Sequence, residues 1–261
     1  MEAVKGKSFL SWMGGKSLLA NRIIPLMPDH KCYVEVFAGA AWLLFKKPES
    51  PAEVINDINT DLVTLYRVIQ HHLDEFVRYF RWSLVSRDEF ERLKAVDPNT
   101  LTDIQRAARF YYLTRQGFSA KLVSPSFGTG TTAAPRLNLL RIEEELSAAH
   151  LRLSRVYVEN LPFQEVIRRY DRPHTLFYVD PPYYGCEDCY GEGIFKPTDF
   201  DALEAILAQV KGRFILSLND HPEVRRIYER FQFREVSTRY TSGGADRSKK
   251  IPELLITNFG L

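Results

Sequence analysis

Four consecutive residues, Asp180-Pro181-Pro182-Tyr183, hold a carboxylate, an unpaired backbone carbonyl and an aromatic ring in fixed relation. They follow an apolar run, Thr175-Leu176-Phe177-Tyr178-Val179, that reads as a buried strand ending at Asp180. Neither proline donates an N–H, so the chain must leave the sheet here in a stiff, extended loop. In open α/β sheets the carboxyl ends of strands are where ligands bind. A plain strand-ending turn uses the same residue types, so the meaning of the four residues depends on what surrounds them.

Three other stretches carry chemistry-bearing residues. Trp12-Met13-Gly14-Gly15-Lys16 pairs a ring and a cation with two glycines, which let a backbone approach a ligand closely. Gly-Gly-Lys-Ser is not a phosphate-binding P-loop, because the first glycine of that motif falls on Leu10 and no apolar strand precedes it. Tyr33-Val34-Glu35-Val36-Phe37 is a strand that runs into the small-residue turn Ala38-Gly39-Ala40-Ala41 and a helix. The spacing of a dinucleotide fingerprint is absent, but the turn is tight enough to admit part of a cofactor to the helix N-terminus. Asp57 lies 18 residues after Gly39, where nucleotide-binding α/β units place a ribose-binding acid. Its competing role is to cap the helix that starts near Thr60, which Asn59 or Thr60 can fill instead.

Strand and helix patterns alternate from Tyr33 to His72 and again from Val156 to the end, which specifies an α/β sheet. Helices are expected at 17–26, 60–72, 162–170, 199–210 and 222–230, and strands at 54–56, 156–158, 214–218, 234–240 and 253–258. The last two strands form a closing antiparallel pair. Between the two halves, residues 73–155 are mostly helical (74–82, 87–95, 103–114, 137–153), with a polar loop over 117–135. We therefore expect a catalytic domain of residues 1–72 and 156–261 with an insertion at 73–155.

The net charge of +2 is unevenly placed. From Ile104 to Ile142 there is no Asp or Glu, while Arg106, Arg109, Arg115, Lys121, Arg136 and Arg141 are present. Aromatic residues such as Tyr111, Tyr112 and Phe118 are interleaved, as a phosphate-backbone partner would require. The three cysteines are too few for a disulfide framework and suit a reducing cytosol. Cys186 and Cys189 lack two further ligands for a structural zinc, and are expected to line the loop after Tyr183. No apolar run is long enough to span a bilayer, and the first 16 residues lack the apolar core of a signal peptide. A cytoplasmic protein with no obligatory protein partner is expected.

The order Trp12-x-Gly14-Gly15-Lys16, Phe37-x-Gly39, Asp57-Ile58-Asn59, Asp180-Pro181-Pro182-Tyr183 resembles the Dam-type family of DNA adenine-N6 methyltransferases. The resemblance covers nearly the whole chain. It implies a Rossmann-like, seven-stranded class I methyltransferase sheet with a target-recognition insertion at 73–155. It implies S-adenosylmethionine as cofactor, bound by Trp12, Gly14, Lys16, Phe37, Gly39, Asp57, Ile58 and Asp180, with no metal. It implies that Asp180, Pro181, Pro182 and Tyr183 are catalytic, acting on an adenine flipped out of double-stranded DNA. The target-recognition hairpin falls at Arg115 to Arg136, with Arg115, Ser119, Lys121, Ser126 and Arg136 as DNA contacts. One departure is Ala41, where the family usually has a second glycine. The four catalytic residues alone also fit an RNA or cytosine-N4 amine methyltransferase, and a silent DNA-binding module is the alternative from another class. A solitary methylase, half of a restriction–modification pair and a phage-borne enzyme would all carry these motifs.

Overall fold

The computed structural model of the chain describes residues 8–12, 16–118, 122–132, 134–138, 141–191, 193–239 and 250–260. Seven strands form one sheet: β1 (Cys32–Glu35), β2 (Ala52–Asn56), β3 (Val156–Glu159), β4 (Thr175–Val179), β5 (Arg213–Asn219), β6 (Gln232–Arg239) and β7 (Lys250–Thr257). Their spatial order is β3-β2-β1-β4-β5-β7-β6. Strands β1 to β5 run parallel, and β7 enters antiparallel between β5 and β6. This is the α/β Rossmann-like sheet that the resemblance implied.

Side-chain alternation explains why the strands are apolar on both faces. Tyr33, Ile55, Leu176, Tyr178 and Ile215 belong to one core, and Val34, Val54, Phe177, Val179 and Phe214 to the other. The first core is covered by α1 (Ser17–Ile23), α2 (Trp42–Lys46), α3 (Thr60–His71), α4 (Leu73–Phe80), α5 (Arg87–Ala95), α6 (Asp103–Gln116) and α7 (Ile142–Leu153). The second is covered by α8 (Phe163–Tyr170), α9 (Pro197–Leu207) and the segment around α10 (Pro222–Ile227). Phe76, Phe80, Phe90 and Tyr111 of the 73–155 stretch join the same apolar cluster as Leu62, Leu65 and Tyr66 of α3. Among the described residues, that stretch therefore shares its core with the half that holds β1, β2 and α3. No helix among them is long and apolar enough to cross a membrane.

Several helix boundaries differ by a few residues from the sequence expectation, and three of them illustrate the difference. The helix expected at 17–26 ends at Ile23, and Pro25 turns the rest into a 3-10 segment. The helix expected at 199–210 begins at Pro197, which suits a first helical turn, and Asp199 accepts a hydrogen bond from the Lys196 N–H at 2.7 Å. The helix expected from Leu137 begins at Ile142, with Leu137 buried ahead of it.

Candidate active site

The turn after β1 is clamped from both sides. The Gly39 N–H donates to Asp57 Oδ2 at 2.9 Å, and Tyr66 Oη donates to the Gly39 carbonyl at 2.7 Å. Asp57 Oδ1 accepts the Asn59 N–H, also at 2.9 Å, while the Asn59 side chain caps α3. Asp57 is thus free of the capping role, and its carboxylate is oriented by two backbone donors with lone pairs left over. Burial pushes its pKa up, and those N–H groups oppose the rise. Gly39 has φ +49, and a Cβ built there would lie 2.6 Å from Trp12 Nε1, so the indole rests directly on the turn. Ala41 also adopts a left-handed conformation, φ 48, which explains why glycine is favoured there and shows that this chain carries some strain at the turn.

A cleft opens above this turn. Its lining includes Trp12, Lys16, Glu35, Phe37, Gly39, Asp57, Ile58, Phe163, Asp180, Pro182, Tyr190 and Phe195. One wall is aromatic: the Phe37 ring centroid is 5.8 Å from both Phe163 and Phe195. Of the sequence-predicted residues, the structure brings Trp12, Lys16, Phe37, Gly39, Asp57, Ile58, Asp180 and Pro182 to this cleft. Gly14, Ser119 and Lys121 lie outside the described residues.

At the floor of the cleft, charges are tightly coupled. Lys16 Nζ lies 3.1 Å from Asp180 Oδ1 and 2.5 Å from Glu253 Oε1, and it also donates to Tyr183 Oη. Ser217 Oγ lies 3.1 Å from Asp180 Oδ1 and 3.0 Å from Glu253 Oε1. Burial pushes the Asp180 carboxyl up to about 6; Lys16 and Ser217 pull it down, and Glu253 pushes it further up. Glu35, buried on β1, accepts hydrogen bonds from Tyr33 Oη and the Leu44 N–H and is pushed up to about 7, again by burial. Glu35, Ser217 and Glu253 were not singled out from the sequence. The available signal was a glutamate inside the apolar strand Tyr33 to Phe37; Glu253 precedes its apolar run and gave less warning.

The loop after β4 is held by Asn219, whose side chain accepts from the Tyr184 N–H at 2.9 Å and donates to the Tyr184 carbonyl at 3.1 Å. Pro181 is buried, and Tyr183 is reached through Lys16. Cys186 and Cys189 are not free thiols: they form a disulfide across this loop, with Cα atoms 5.3 Å apart. Neighbouring residues three apart in one tight turn can be bridged without the long-range framework that cysteine counting looks for. Tyr190, beside that disulfide, stacks on Trp12 with an interplanar angle of 21°.

The acid-free basic run is less cationic in space than in sequence. Arg106 pairs with Asp61 at the start of α3, and Arg109 lies 3.8 Å from the same carboxylate. Arg115 pairs with Glu145, donates to the Arg136 carbonyl at 3.0 Å and covers the Tyr111 ring. Its side chain is only 15% exposed, so it ties α6 to α7 and is not displayed as a surface contact. Ser126 and Arg136 are exposed. Among the described residues of the segment, Gly117 and Phe127 are bridged antiparallel, and the Phe118 N–H donates to the Ser126 carbonyl at 2.8 Å.

A family model described as D12 class N6 adenine-specific DNA methyltransferase matches residues 12–242. The chain is 27% identical over 280 residues to the DNA adenine methylase of Escherichia coli, covering 96% of this chain and 95% of that protein. It is 25% identical over 280 residues to a type II methyltransferase of Lactococcus lactis subsp. cremoris, covering 97% of this chain and 96% of that protein.

Proposed function

The chain belongs to the D12 class N6 adenine-specific DNA methyltransferases, and from that premise we propose how its cleft methylates DNA. S-adenosylmethionine is the cofactor, and when bound it supplies an electrophilic methyl group on a sulfonium. The cleft residues fit that molecule. The aromatic wall of Phe37, Phe163 and Phe195 with Ile58 suits a purine, the oriented Asp57 carboxylate suits ribose hydroxyls, and Glu35 suits a cationic amine. Trp12 closes the amino-terminal side over Gly39.

The exocyclic amine of adenine is a poor nucleophile, because its lone pair is delocalised into the ring. Asp180 and the Pro181 carbonyl accept its two hydrogens, which localises the lone pair and stabilises positive charge as it develops on nitrogen. Asp180, pushed up to about 6, is mostly ionised at neutral pH and basic enough to take the proton that the methylated nitrogen sheds. Tyr183, anchored through its hydroxyl by Lys16, stacks on the base. The amine lies inside the stack of a duplex, so the adenine is flipped out at a cost of about a few kcal/mol. Residues 73–155 select the target, with the exposed Ser126 and Arg136 facing double-stranded DNA. The reaction takes place on DNA in the cytoplasm.

The observation that carries this reading is that Asp180 and Pro182 line the same cleft as Asp57 and the Phe37–Gly39 turn. A methyl donor over the turn and an amine at Asp180 then share one cavity. The test is transfer of a labelled methyl group to duplex DNA. Wild type labels N6 of adenine, and Asp180→Ala loses about a hundredfold or more in kcat. Equal activity in both, or label on cytosine, would refute it.

A further inference from the structure

We infer that Glu253 and Ser217 are positioning residues for methyl transfer: Lys16 and Ser217 hold Oδ1 of Asp180 and leave Oδ2 for the substrate amine, and Glu253 anchors the lysine and the serine. This rests on the reading of Asp180 as the group that holds that amine.

Glu253 is fully buried on β7, opposite Asn219 of β5. A buried carboxylate is costly unless it is paired, and Glu253 is paired with the same lysine that pairs with Asp180. Ser217 has one hydroxyl proton and lies within hydrogen-bond distance of both carboxylates, while Tyr178 Oη donates to Ser217 Oγ at 3.3 Å. All the contacts from Lys16 and Ser217 to Asp180 fall on one oxygen, Oδ1. Lys16 also holds the Tyr183 hydroxyl, so one cation fixes the carboxylate and the ring of the catalytic loop together.

A purely structural ion pair for Lys16 would look similar, and pH dependence separates the two roles. Among the described residues, the groups facing Asp180 are Lys16 ahead of α1, Glu35 on β1, Tyr178 on its own strand, Ser217 on β5, Glu253 on β7 and, through Lys16, Tyr183. Glu253 pushes the Asp180 carboxyl up, and the Ser217 hydrogen bond pulls it down. Methyl transfer needs the carboxylate ionised, so the acid limb of kcat/KM tracks it. Glu253→Gln keeps an amide oxygen for Lys16, removes the repulsion and leaves the lysine's charge to Asp180. Ser217→Ala removes a donor. The two variants therefore move the acid limb in opposite directions.

The experiment measures kcat/KM on duplex DNA with labelled S-adenosylmethionine from about pH 5 to about pH 9. Thermal melting and cofactor calorimetry on the same preparations establish that each variant is folded and binds. The expected result is an acid limb moved down by on the order of one pH unit in Glu253→Gln and up in Ser217→Ala. Folded, cofactor-binding variants whose limbs stay in place, or move the same way, overturn the inference. If Glu253→Gln does not fold, the direction in Ser217→Ala decides: an upward move supports the inference, and a fixed or downward limb overturns it. Asp180→Ala is the accompanying control. Its retention of activity overthrows the reading of Asp180 itself, whereas its loss with unmoved limbs overthrows only the role of Glu253 and Ser217.

Discussion

The sharpest physical consequence of the site concerns stability, and Asp180→Asn exposes it. The carboxyl is pushed from an ordinary 3.8 up to about 6, first by burial. At about 1.4 kcal/mol per pH unit, holding this group ionised costs the folded state about 3 kcal/mol. Solvent reaches 19% of the side chain, which screens the effect and brings a working figure to about 2 kcal/mol. The sign follows from proton counting. Between about pH 4 and about pH 6 the folded protein binds more protons at Asp180 than the unfolded chain, so stability falls as pH rises through that window. An amide never ionises and escapes the loss, and Lys16 keeps Glu253 as its partner. Urea unfolding at about pH 4 and about pH 8 reads the difference directly. The variant is expected to be more stable than wild type by about 2 kcal/mol at the higher pH, and nearly equal at the lower. It is also expected to be inactive, a trade of activity for stability at one side chain. A variant less stable at about pH 8, or a gap that does not change with pH, would refute the reasoning.

Three further substitutions test other parts of the protein. Gly39→Ala drives a methyl into Trp12 at a positive φ, so cofactor affinity by calorimetry should weaken about tenfold or more, and stability should fall by about 1–2 kcal/mol. Undiminished affinity would mean that the turn does not hold the cofactor. Arg115→Ala should lower the unfolding free energy in urea by about 1–2 kcal/mol, with little change in the salt dependence of duplex binding; Arg136→Ala should leave the fold alone and reduce the salt slope by about one. The reverse pattern would return Arg115 to the DNA surface.

Sequence patterns reached the fold and half of the site. The strand over Thr175 to Val179 was legible because a fully buried parallel strand is apolar without alternation and ends at paired prolines. The spacing from Gly39 to Asp57 was legible because it is set by one βα unit. The electrostatics were not. The basic run from Ile104 to Ile142 contains no acid, yet Arg106 and Arg115 meet Asp61 and Glu145, 45 and 30 residues away along the chain. Local charge density measures a surface only when its counter-ions are also local. The Cys186–Cys189 disulfide was missed for the converse reason, since counting cysteines says nothing about two that lie within one turn.

The concealment of Glu253 follows from topology. A search for ligand-binding residues in a parallel sheet examines the carboxyl ends of strands, because those ends share one edge. Strand β7 runs the other way, so its beginning lies at that edge: Glu253 faces Asn219 near the end of β5, and Thr257 faces Ile215 near its start. An antiparallel strand inserted into such a sheet therefore delivers side chains to the site from its amino-terminal residues. In this chain the delivered residue is a carboxylate that competes with Asp180 for Lys16, so the last strand bears on the charge state of a group at the end of the fourth. In the proposed mechanism Asp180 is the acceptor for the amine. Burial sets the direction in which its pKa moves, and residues at opposite ends of the sequence, Lys16 and Glu253, which meet only once the sheet has closed, then pull it down and push it up.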